Sequence, residues 1–221
     1  MDERIFGPIL INLEKRKDRL LESAVEFERL STQFIRLQAT ESEDKAMACQ
    51  DSHCRALENF LKSDPIFQAC FICEDDVEFL CNKVTLQTHI NEFLKNPYAD
   101  ALCLGYSSRE HYEYSQRFFK TTDNQTRTAY IIKRSLAADL LDLWRRLYML
   151  RIMGNHKIEP NWYYTLFHSI PLQTKPNDIY RGDQCWKILQ HTHNFLIPVK
   201  PLARQRASYS DIEQKNVNYE T

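Results

Sequence analysis

Glycine is scarce in this chain, with 4 among its 221 residues. The scarcity excludes glycine-rich phosphate-binding loops of the Walker and dinucleotide-binding types. Neither charge is in excess, since 29 lysines and arginines face 30 acidic residues, so nucleic acids and anionic membrane surfaces are not expected partners. The chain also lacks a run of about 18 apolar residues, so we expect no integral membrane segment.

The cysteines and the N-terminus both favour a cytoplasmic protein. Seven cysteines is an odd number, which favours reduced thiols. The charged residues 1–4 are followed by an apolar run too brief for a secretory signal. Cys70 and Cys73 form a C-x-x-C motif, but no second pair follows it. Three residues apart on a strand they are expected to face opposite ways, so a zinc or redox site is the lesser alternative.

Three consecutive carboxylates, Glu74, Asp75 and Asp76, follow the apolar residues 69–73, which predict a strand buried on both faces. In α/β sheets the carboxyl ends of strands are where ligands bind. Because side chains alternate along a strand, Glu74 and Asp76 are expected to point to one side and Asp75 to the other. Such like charges repel, and Mn²⁺ or Mg²⁺ would neutralise them and recruit phosphates. A solvated acidic turn is the alternative interpretation.

The remaining pattern alternates strands and helices, which is typical of α/β proteins. Strands are expected at residues 9–13, 33–39, 69–73, 101–105 and 126–132, and helices at 20–30, 46–62 and 136–147. Pro8 is expected as the first residue of the first strand. One domain is expected for residues 1–221, with a nucleotide-binding half at 1–105 and an acceptor-side half at 106–221.

Basic residues lie where the first helix is expected to begin. Arg16 and Arg19 would then be close to a nucleotide phosphate. A solvated helix start, with Asp18 near the positive end of the helix dipole, is an equal alternative. Ser52 and His53 lie in the second helix, and His53 is expected to be a packing or ribose-side residue rather than a catalyst.

Five blocks of this sequence form a pattern: Ile11-Asn12-Leu13 with Arg16, Asp18 and Arg19; Cys49 with Ser52-His53; Glu74-Asp75-Asp76-Val77; the Thr128-Ala129-Tyr130 strand; and Pro201 with Gln205 and Ser210-Asp211-Ile212. Together they resemble glycosyltransferase family 25, which includes bacterial lipopolysaccharide galactosyltransferases and procollagen galactosyltransferases. The family usually has a glycine where this chain has Ala48. The resemblance extends over residues 9–212, nearly the whole chain.

The resemblance implies a single-domain α/β/α sandwich of the GT-A type with a central mixed, mostly parallel sheet. It implies metal-dependent, inverting transfer of galactose or glucose from a UDP-sugar to a hydroxyl of a glycan, lipid-linked sugar or protein, as in lipopolysaccharide biosynthesis. Mn²⁺ or Mg²⁺ would be held by Glu74, Asp75 and Asp76. The donor would be contacted by Asn12, Arg16, Asp18, Arg19, Ser52, His53 and Asp75.

Inverting transfer needs a carboxylate that takes the proton of the acceptor hydroxyl. Asp183 is the leading candidate for this base by its position in the family pattern, and Asp178 is the second. An N-cap role for Asp183 is an equal alternative. The aromatic residues between 162 and 167 would either hold an acceptor sugar or pack in the core.

Two other functions stay open. A nucleotidyltransferase also places acidic residues at a strand end, but it normally needs a glycine- or lysine-bearing phosphate loop near the first strand, and this chain has no such glycines there. A transferase-like binding module without turnover is the non-enzymatic alternative, which the intact carboxylates disfavour.

Overall fold

The computed structural model describes residues 2–152, 181–210 and 215–217. The helices are α1 (Lys17–Arg29), α2 (Lys45–Lys62), α3 (Lys83–Lys95), α4 (Arg134–Ile152), α5 (Gly182–Cys185) and α6 (Lys187–Thr192). The strands are β1 (Ile5–Asn12), β2 (Ile35–Gln38), β3 (Ala69–Glu74), β4 (Val77–Phe79), β5 (Ala101–Cys103), β6 (His111–Glu113), β7 (Phe118–Thr121), β8 (Ala129–Lys133), β9 (Phe195–Pro198), β10 (Ala203–Gln205), β11 (Ser208–Ser210) and β12 (Lys215–Val217).

A mixed sheet of eight strands forms the centre of the fold, in the order β2-β1-β3-β8-β5-β9-β7-β6. β1 pairs in parallel with β2 and β3, and β5 pairs in parallel with β9. The pairings of β8 with β3 and β5, and of β7 with β9 and β6, are antiparallel. Six of these eight strands therefore run in one direction, which confirms the expected mixed, mostly parallel sheet.

Helices cover both faces of this sheet. Along β3, Cys70 and Ile72 pack into a core shared with α2 and α4, whereas Phe71 and Cys73 pack into a core shared with α1 and α3. All four side chains are fully buried. The structure thus confirms the buried strand, the α/β/α sandwich and the opposite orientation of the two cysteines.

The first strand differs from its expected form. β1 begins at Ile5, and Pro8 lies inside it at a point where the pairing with β3 shifts register, so the expectation that Pro8 begins the strand is wrong. A bulge tolerates proline because no ladder hydrogen bond is needed from it there. Gly7 has a φ of 99°, and a Cβ at this position would lie 2.8 Å from the backbone oxygen of Phe71. Glycine therefore allows the bulge to lie against β3.

A second, two-stranded sheet brings the C-terminal part of the chain to the acidic turn. β4, which directly follows that turn, pairs antiparallel with β10, and Gln205 lies opposite Val77. β10 also lies close to the end of β5, since a Cβ at Gly105 would be 2.9 Å from the backbone oxygen of Ala203. Neither β4 nor β10 was expected from the sequence, because each has three residues.

Among the helices that the structure describes, none is long and apolar enough to cross a lipid bilayer.

Candidate active site

A cleft with a volume of about 140 Å³ opens where β1, β2 and β3 end, beside the first turns of α2. This is the edge of an α/β sheet at which ligands are expected. The cleft carries side chains of both charges. The basic residues in its lining are Lys15, Arg19 and Lys45, and the acidic residues include Glu74, Asp75 and Asp76.

Asp75 is buried, and both of its carboxylate oxygens are engaged. Asn12 donates from Nδ2 to Oδ2 at 2.8 Å, and Arg19 donates from Nη1 to Oδ1 at 2.9 Å. The hydroxyl of Ser23 donates to the backbone oxygen of Asp75 at 3.0 Å. Asp75 therefore anchors the acidic turn to β1 and α1, and its charge is already balanced by Arg19.

Asp76 has one engaged and one unengaged oxygen. Gln205 donates from Nε2 to Oδ2 at 2.9 Å, and Arg19 Nη1 lies 3.5 Å from the same oxygen. Oδ1 is buried and has no hydrogen-bond partner among the described residues. Burial raises the pKa of Asp76 to about 7, with the charges of Glu74 and Asp75 acting in the same direction and Arg19 opposing them.

The three acids do not alternate as expected. β3 ends at Glu74, so Asp75 and Asp76 belong to the turn before β4. Arg19 contacts both aspartates through one nitrogen. The expectation that Asp75 points away from Asp76 is therefore wrong, because alternation holds within a strand and not in the turn after it.

The donor set of the turn fits a hard divalent cation. A buried carboxylate oxygen without a partner is costly unless a cation or a proton joins it, and Asp76 Oδ1 is such an oxygen. Glu74 lines the same cleft and is partly exposed. Mn²⁺ or Mg²⁺ fits Asp76 with Glu74 best, because the oxygens of Asp75 already accept hydrogen bonds.

Glu74 is held from behind by a chain of buried polar groups. His53 Nε2 lies 2.9 Å from Glu74 Oε1, and His53 Nδ1 lies 3.0 Å from the hydroxyl oxygen of Tyr130. Because a carboxylate only accepts, we assign the proton of the neutral ring to Nε2, and the Tyr130 hydroxyl donates to Nδ1. His53 is fully buried and packs edge-on against the ring of Trp144. It therefore positions Glu74 and lies behind the cleft wall.

The protonation states follow from this packing. Burial and the nearby charge of Arg127 lower the pKa of His53 to about 4, so the ring is neutral at neutral pH. Burial opposes the ionisation of Glu74, but the hydrogen bond from His53 and the charge of Arg127 outweigh it and lower the pKa of Glu74 to about 2. Glu74 is therefore a fixed anion, suited to holding a cation and a poor proton acceptor.

The buried, neutral state of His53 should contribute stability that is lost at acidic pH. The pKa of His53 is near the ordinary histidine value of 6.5 in the unfolded chain and only near 4 in the folded chain, so this contribution to stability is lost as pH falls between these values. A shift of this size corresponds to about 3 kcal/mol of unfolding free energy. His53→Gln should be less stable than the wild type near neutral pH and should lose less stability on acidification. Urea titrations at several pH values measure both.

The difference between the two proteins is the informative quantity, because Asp76 titrates with the opposite sign and contributes equally to each. Tyr130→Phe serves as the matched control, since it removes the hydrogen bond that His53 accepts from the Tyr130 hydroxyl but leaves the imidazole in place. On acidification, Tyr130→Phe should lose stability relative to His53→Gln, as the wild type does. Parallel loss of stability in the wild type and His53→Gln would contradict the assigned neutral ring.

Cys49, His53 and Glu74 each place one potential ligand atom within 4.8 Å of the others. Such a set of sulfur, nitrogen and oxygen resembles a zinc site. However, both nitrogens of His53 are already hydrogen-bonded, and Arg127 Nη2 lies 3.3 Å from Cys49 Sγ, where it would repel a cation. Burial also raises the pKa of the Cys49 thiol to about 12. We interpret these residues as a hydrogen-bonded cluster that shapes the cleft.

Three further residues were expected to contact the donor: Arg16, Asp18 and Ser52. Arg16 and Asp18 pair with each other at 2.9 Å where α1 begins, and Asp18 is exposed. Ser52 lines the cleft and ties α2 to the segment after β2: its hydroxyl accepts from the backbone nitrogen of Thr40 at 2.9 Å and donates to the backbone oxygen of Ala48 at 2.8 Å.

Of the two candidate bases, only Asp183 lies among the described residues. A short helix opens after Arg181 as expected, but Arg181 is its N-cap and Asp183 lies in its first turn, so the N-cap interpretation of Asp183 is wrong. The carboxylate of Asp183 pairs with Arg181 at 3.7 Å. It also lies within electrostatic reach of Arg127. Asp178 and the aromatic residues between 162 and 167 lie outside the described residues.

The sequence predicted no contact role for three residues of the site, Gln205, Cys49 and Arg127. Gln205, which holds Asp76, belongs to the closing block of the family pattern, and that block was the signal that could have found it. Cys49 belongs to the Ser-His block, and the position of Arg127 carries no motif signal. Their contacts join segments distant in sequence, which spacing does not reveal.

A comparison with protein-family models found no match, and neither did a comparison with curated proteins. Among solved structures, the chain is similar to a glycosyltransferase involved in the glycosylation of the major capsid of PBCV-1, with 10% identity, a TM-score of 0.45 and 95% of each chain covered. It is similar to mouse xyloside xylosyltransferase 1, with 10% identity, a TM-score of 0.44 and coverage of 88% of this chain and 73% of that one. It is also similar to A197 from STIV, with 13% identity, a TM-score of 0.42 and coverage of 87% and 80%. Similarity at these levels carries no functional assignment.

Proposed function

We propose that this chain is a metal-dependent, inverting glycosyltransferase of the family 25 type, which moves galactose or glucose from a UDP-sugar to an acceptor hydroxyl. The observation that carries the proposal is the buried, unpartnered Oδ1 of Asp76 at the edge of the cleft. A cation joined to this oxygen and a diphosphate joined to the cation would satisfy an arrangement that is otherwise costly. The motif pattern supports the same function.

The proposed cation ligands are Asp76 and Glu74. When bound there, Mn²⁺ or Mg²⁺ supplies positive charge beside the diphosphate leaving group. Arg19 keeps the two aspartates of the turn in place through its contacts with both. Lys15 and Lys45 line the same cleft and provide further charge for phosphate oxygens.

Asp183 is the proposed base. Its carboxylate takes the proton of the acceptor hydroxyl while the hydroxyl oxygen forms a bond to the anomeric carbon of the donor. The bond between that carbon and the diphosphate oxygen breaks, and its electron pair leaves with UDP. Attack from the face opposite the leaving group inverts the anomeric centre. Asp178 stays the second candidate.

The acceptor follows from the motif resemblance alone. We propose a hydroxyl of a glycan, lipid-linked sugar or protein, with lipopolysaccharide assembly in the cytoplasm as the corresponding setting. A nucleotidyltransferase is the second candidate function, and the three basic side chains of the cleft favour it because they would also suit a triphosphate. The scarcity of glycine near β1 disfavours it.

Calorimetric titration with UDP, with and without Mn²⁺, tests the proposal. Mn²⁺ should strengthen UDP binding by about tenfold or more, since charge-assisted contacts to phosphate are then completed. Binding of the cation should also release about half a proton near pH 7, because the cation displaces the proton that Asp76 holds with its pKa of about 7. Buffers with different ionisation enthalpies measure this release.

The same titrations separate the alternatives. Equal or tighter binding of nucleoside triphosphates would contradict the glycosyltransferase proposal and support the nucleotidyltransferase. Metal-dependent UDP binding without hydrolysis or transfer of any UDP-hexose would instead identify a binding module without turnover. Slow hydrolysis of UDP-galactose or UDP-glucose, dependent on Mn²⁺, is the expected result.

A further inference from the structure

Arg127 lies just before β8 and is 7% exposed. Its Nη2 donates to Cys49 Sγ at 3.3 Å, and a thiol sulfur is a weak acceptor. Its Nε and Nη1 are buried and have no hydrogen-bond partner among the residues that the structure describes. Buried donors that have left water without gaining an acceptor are unfavourable, so a native site that keeps them requires an explanation.

Arg134 shows how this chain treats an arginine with a purely structural role. Arg134 Nε donates to the backbone oxygen of Phe67, Nη1 to that of Leu61 and Nη2 to that of Asp64, each at 3.1 Å. All of its nitrogens are thus satisfied by backbone oxygens around the start of α4. Arg127 is buried but lacks such a set of acceptors.

Charge balance alone does not explain why Arg127 has buried N–H groups without acceptors. Burial disfavours its charged form, but the neighbouring acidic groups of Cys49, Glu74 and Asp183 outweigh burial and raise the pKa of Arg127, so the guanidinium stays charged. Within residues 2–152 and 181–210, no carboxylate approaches Arg127 closely enough to form an ion pair. The charge is therefore kept next to the acidic cluster while its N–H groups stay available.

The surroundings of Arg127 are built to hold the side chain in one place. Its guanidinium lies over the ring of Trp144, 5.2 Å from the ring centroid. A Cβ at Gly182 would lie 2.1 Å from Arg127 Nη1, so the start of α5 leaves space that a larger residue would remove. Cys49, the residue to which Arg127 donates, lines the cleft. The guanidinium thus contacts a residue of the cleft wall from behind.

We propose that Arg127 is an oxyanion-binding residue of this site, whose unpaired N–H groups are completed by the oxygens of a phosphate or carboxylate group on a substrate. Guanidinium geometry suits both groups. The identity of the oxyanion rests on the proposed function: it is either the diphosphate of the donor or an acidic group on the acceptor.

Calorimetry on the full chain tests the proposal in wild type and Arg127→Gln. The probes are UDP plus Mn²⁺, glucuronate as a carboxylate, and inorganic pyrophosphate as a phosphate without a nucleoside. Loss of charge-assisted hydrogen bonds should weaken binding of one probe by about 10- to 100-fold. Arg134→Gln is the matched control and should reduce stability without changing the affinity for any probe. Gly182→Ala keeps the charge but displaces the guanidinium, so it should reproduce the loss even where Arg127→Gln fails to fold.

The outcomes are distinct. Weaker UDP binding in Arg127→Gln supports a donor phosphate, and loss of glucuronate binding with unchanged UDP affinity supports an acidic acceptor. Where the wild type binds inorganic pyrophosphate but not UDP, and Arg127→Gln loses pyrophosphate, the inference stands although the proposed function fails. Unchanged affinities in folded Arg127→Gln and Gly182→Ala, or a wild type that binds none of these oxyanions, would overturn it.

Discussion

Replacement of Asp76 by asparagine is expected to abolish sugar transfer and, at the same time, to make the protein more stable at about pH 8. The loss of activity follows from the loss of the proposed cation ligand, and with several kcal/mol of charge stabilisation removed it should reach about 10³-fold. The gain in stability follows from the burial of Asp76, whose Oδ1 has no partner among the described residues. An amide at this position avoids a buried charge.

The pH dependence of this gain has a definite sign. Burial raises the pKa of Asp76 from 3.8 to about 7, so the folded state holds a proton that the unfolded chain has already released. Stability from this residue is therefore fully present below the lower value and is lost as pH rises through the upper one. A difference of about three pH units, at about 1.4 kcal/mol each, limits the gain of Asp76→Asn to about 4 kcal/mol above pH 7. The gain should vanish near pH 4.

Denaturant titrations of both proteins across this pH range, together with assays of UDP-hexose hydrolysis, measure the two effects. Glu78→Gln is the matched control, because Glu78 lies two residues further on and pairs with Arg204 at the surface at 2.9 Å. Arg204 lowers the pKa of Glu78, so its replacement should slightly reduce stability and leave activity intact. Retained activity in Asp76→Asn, or equal pH slopes in it and the wild type, would contradict the role assigned to Asp76.

Addition of Mn²⁺ separates the two effects further. A ligand that binds only the folded state raises its stability by mass action. Mn²⁺ should therefore stabilise the wild type and reduce or remove the advantage of Asp76→Asn at about pH 8.

The acidic turn shows which parts of the site sequence patterns predict. Five apolar residues followed at once by three acids predicted both the buried strand and the edge at which the cleft lies, because burial on two faces requires an unbroken apolar run. The same pattern failed one residue later. Beyond Glu74 the chain turns, and the positions of Asp75 and Asp76 are decided by Arg19, 56 residues from Asp75 along the chain, and by Gln205.

Residue spacing could not predict the hydrogen-bond partners within the site, for the same physical reason. His53 joins Glu74 to Tyr130, a residue on β8 that is 77 positions away, and Arg127 reaches Cys49 across 78 positions. Neither separation follows from helix or strand periodicity. β6 was missed because all three of its residues are exposed, so it has no apolar alternation to recognise.

The second large effect is expected from Asp183→Asn. An amide cannot take the proton of the acceptor hydroxyl, so the rate of transfer should fall by about 10²- to 10⁴-fold. Asp183 is placed in the first turn of α5, outside the set of cleft residues around Asp76, so the affinity for UDP and Mn²⁺ should be unchanged. Steady-state kinetics should therefore show a lower kcat with the KM for the donor unchanged, together with unchanged UDP affinity by calorimetry.

Loss of folding would not explain such a result. Asp183 pairs with Arg181 at 3.7 Å, and both side chains are partly exposed, so removing the pair should cost less than about 1 kcal/mol. Asp178→Asn is the parallel variant, because Asp178 is the other candidate base. A loss of transfer confined to Asp178→Asn would move the role to that residue, and undiminished transfer in Asp183→Asn would exclude Asp183. Because Arg127 lies within electrostatic reach of Asp183, combining Asp183→Asn with Arg127→Gln measures the coupling between the two residues. Additive effects in the double variant would show that the base and the oxyanion site act independently.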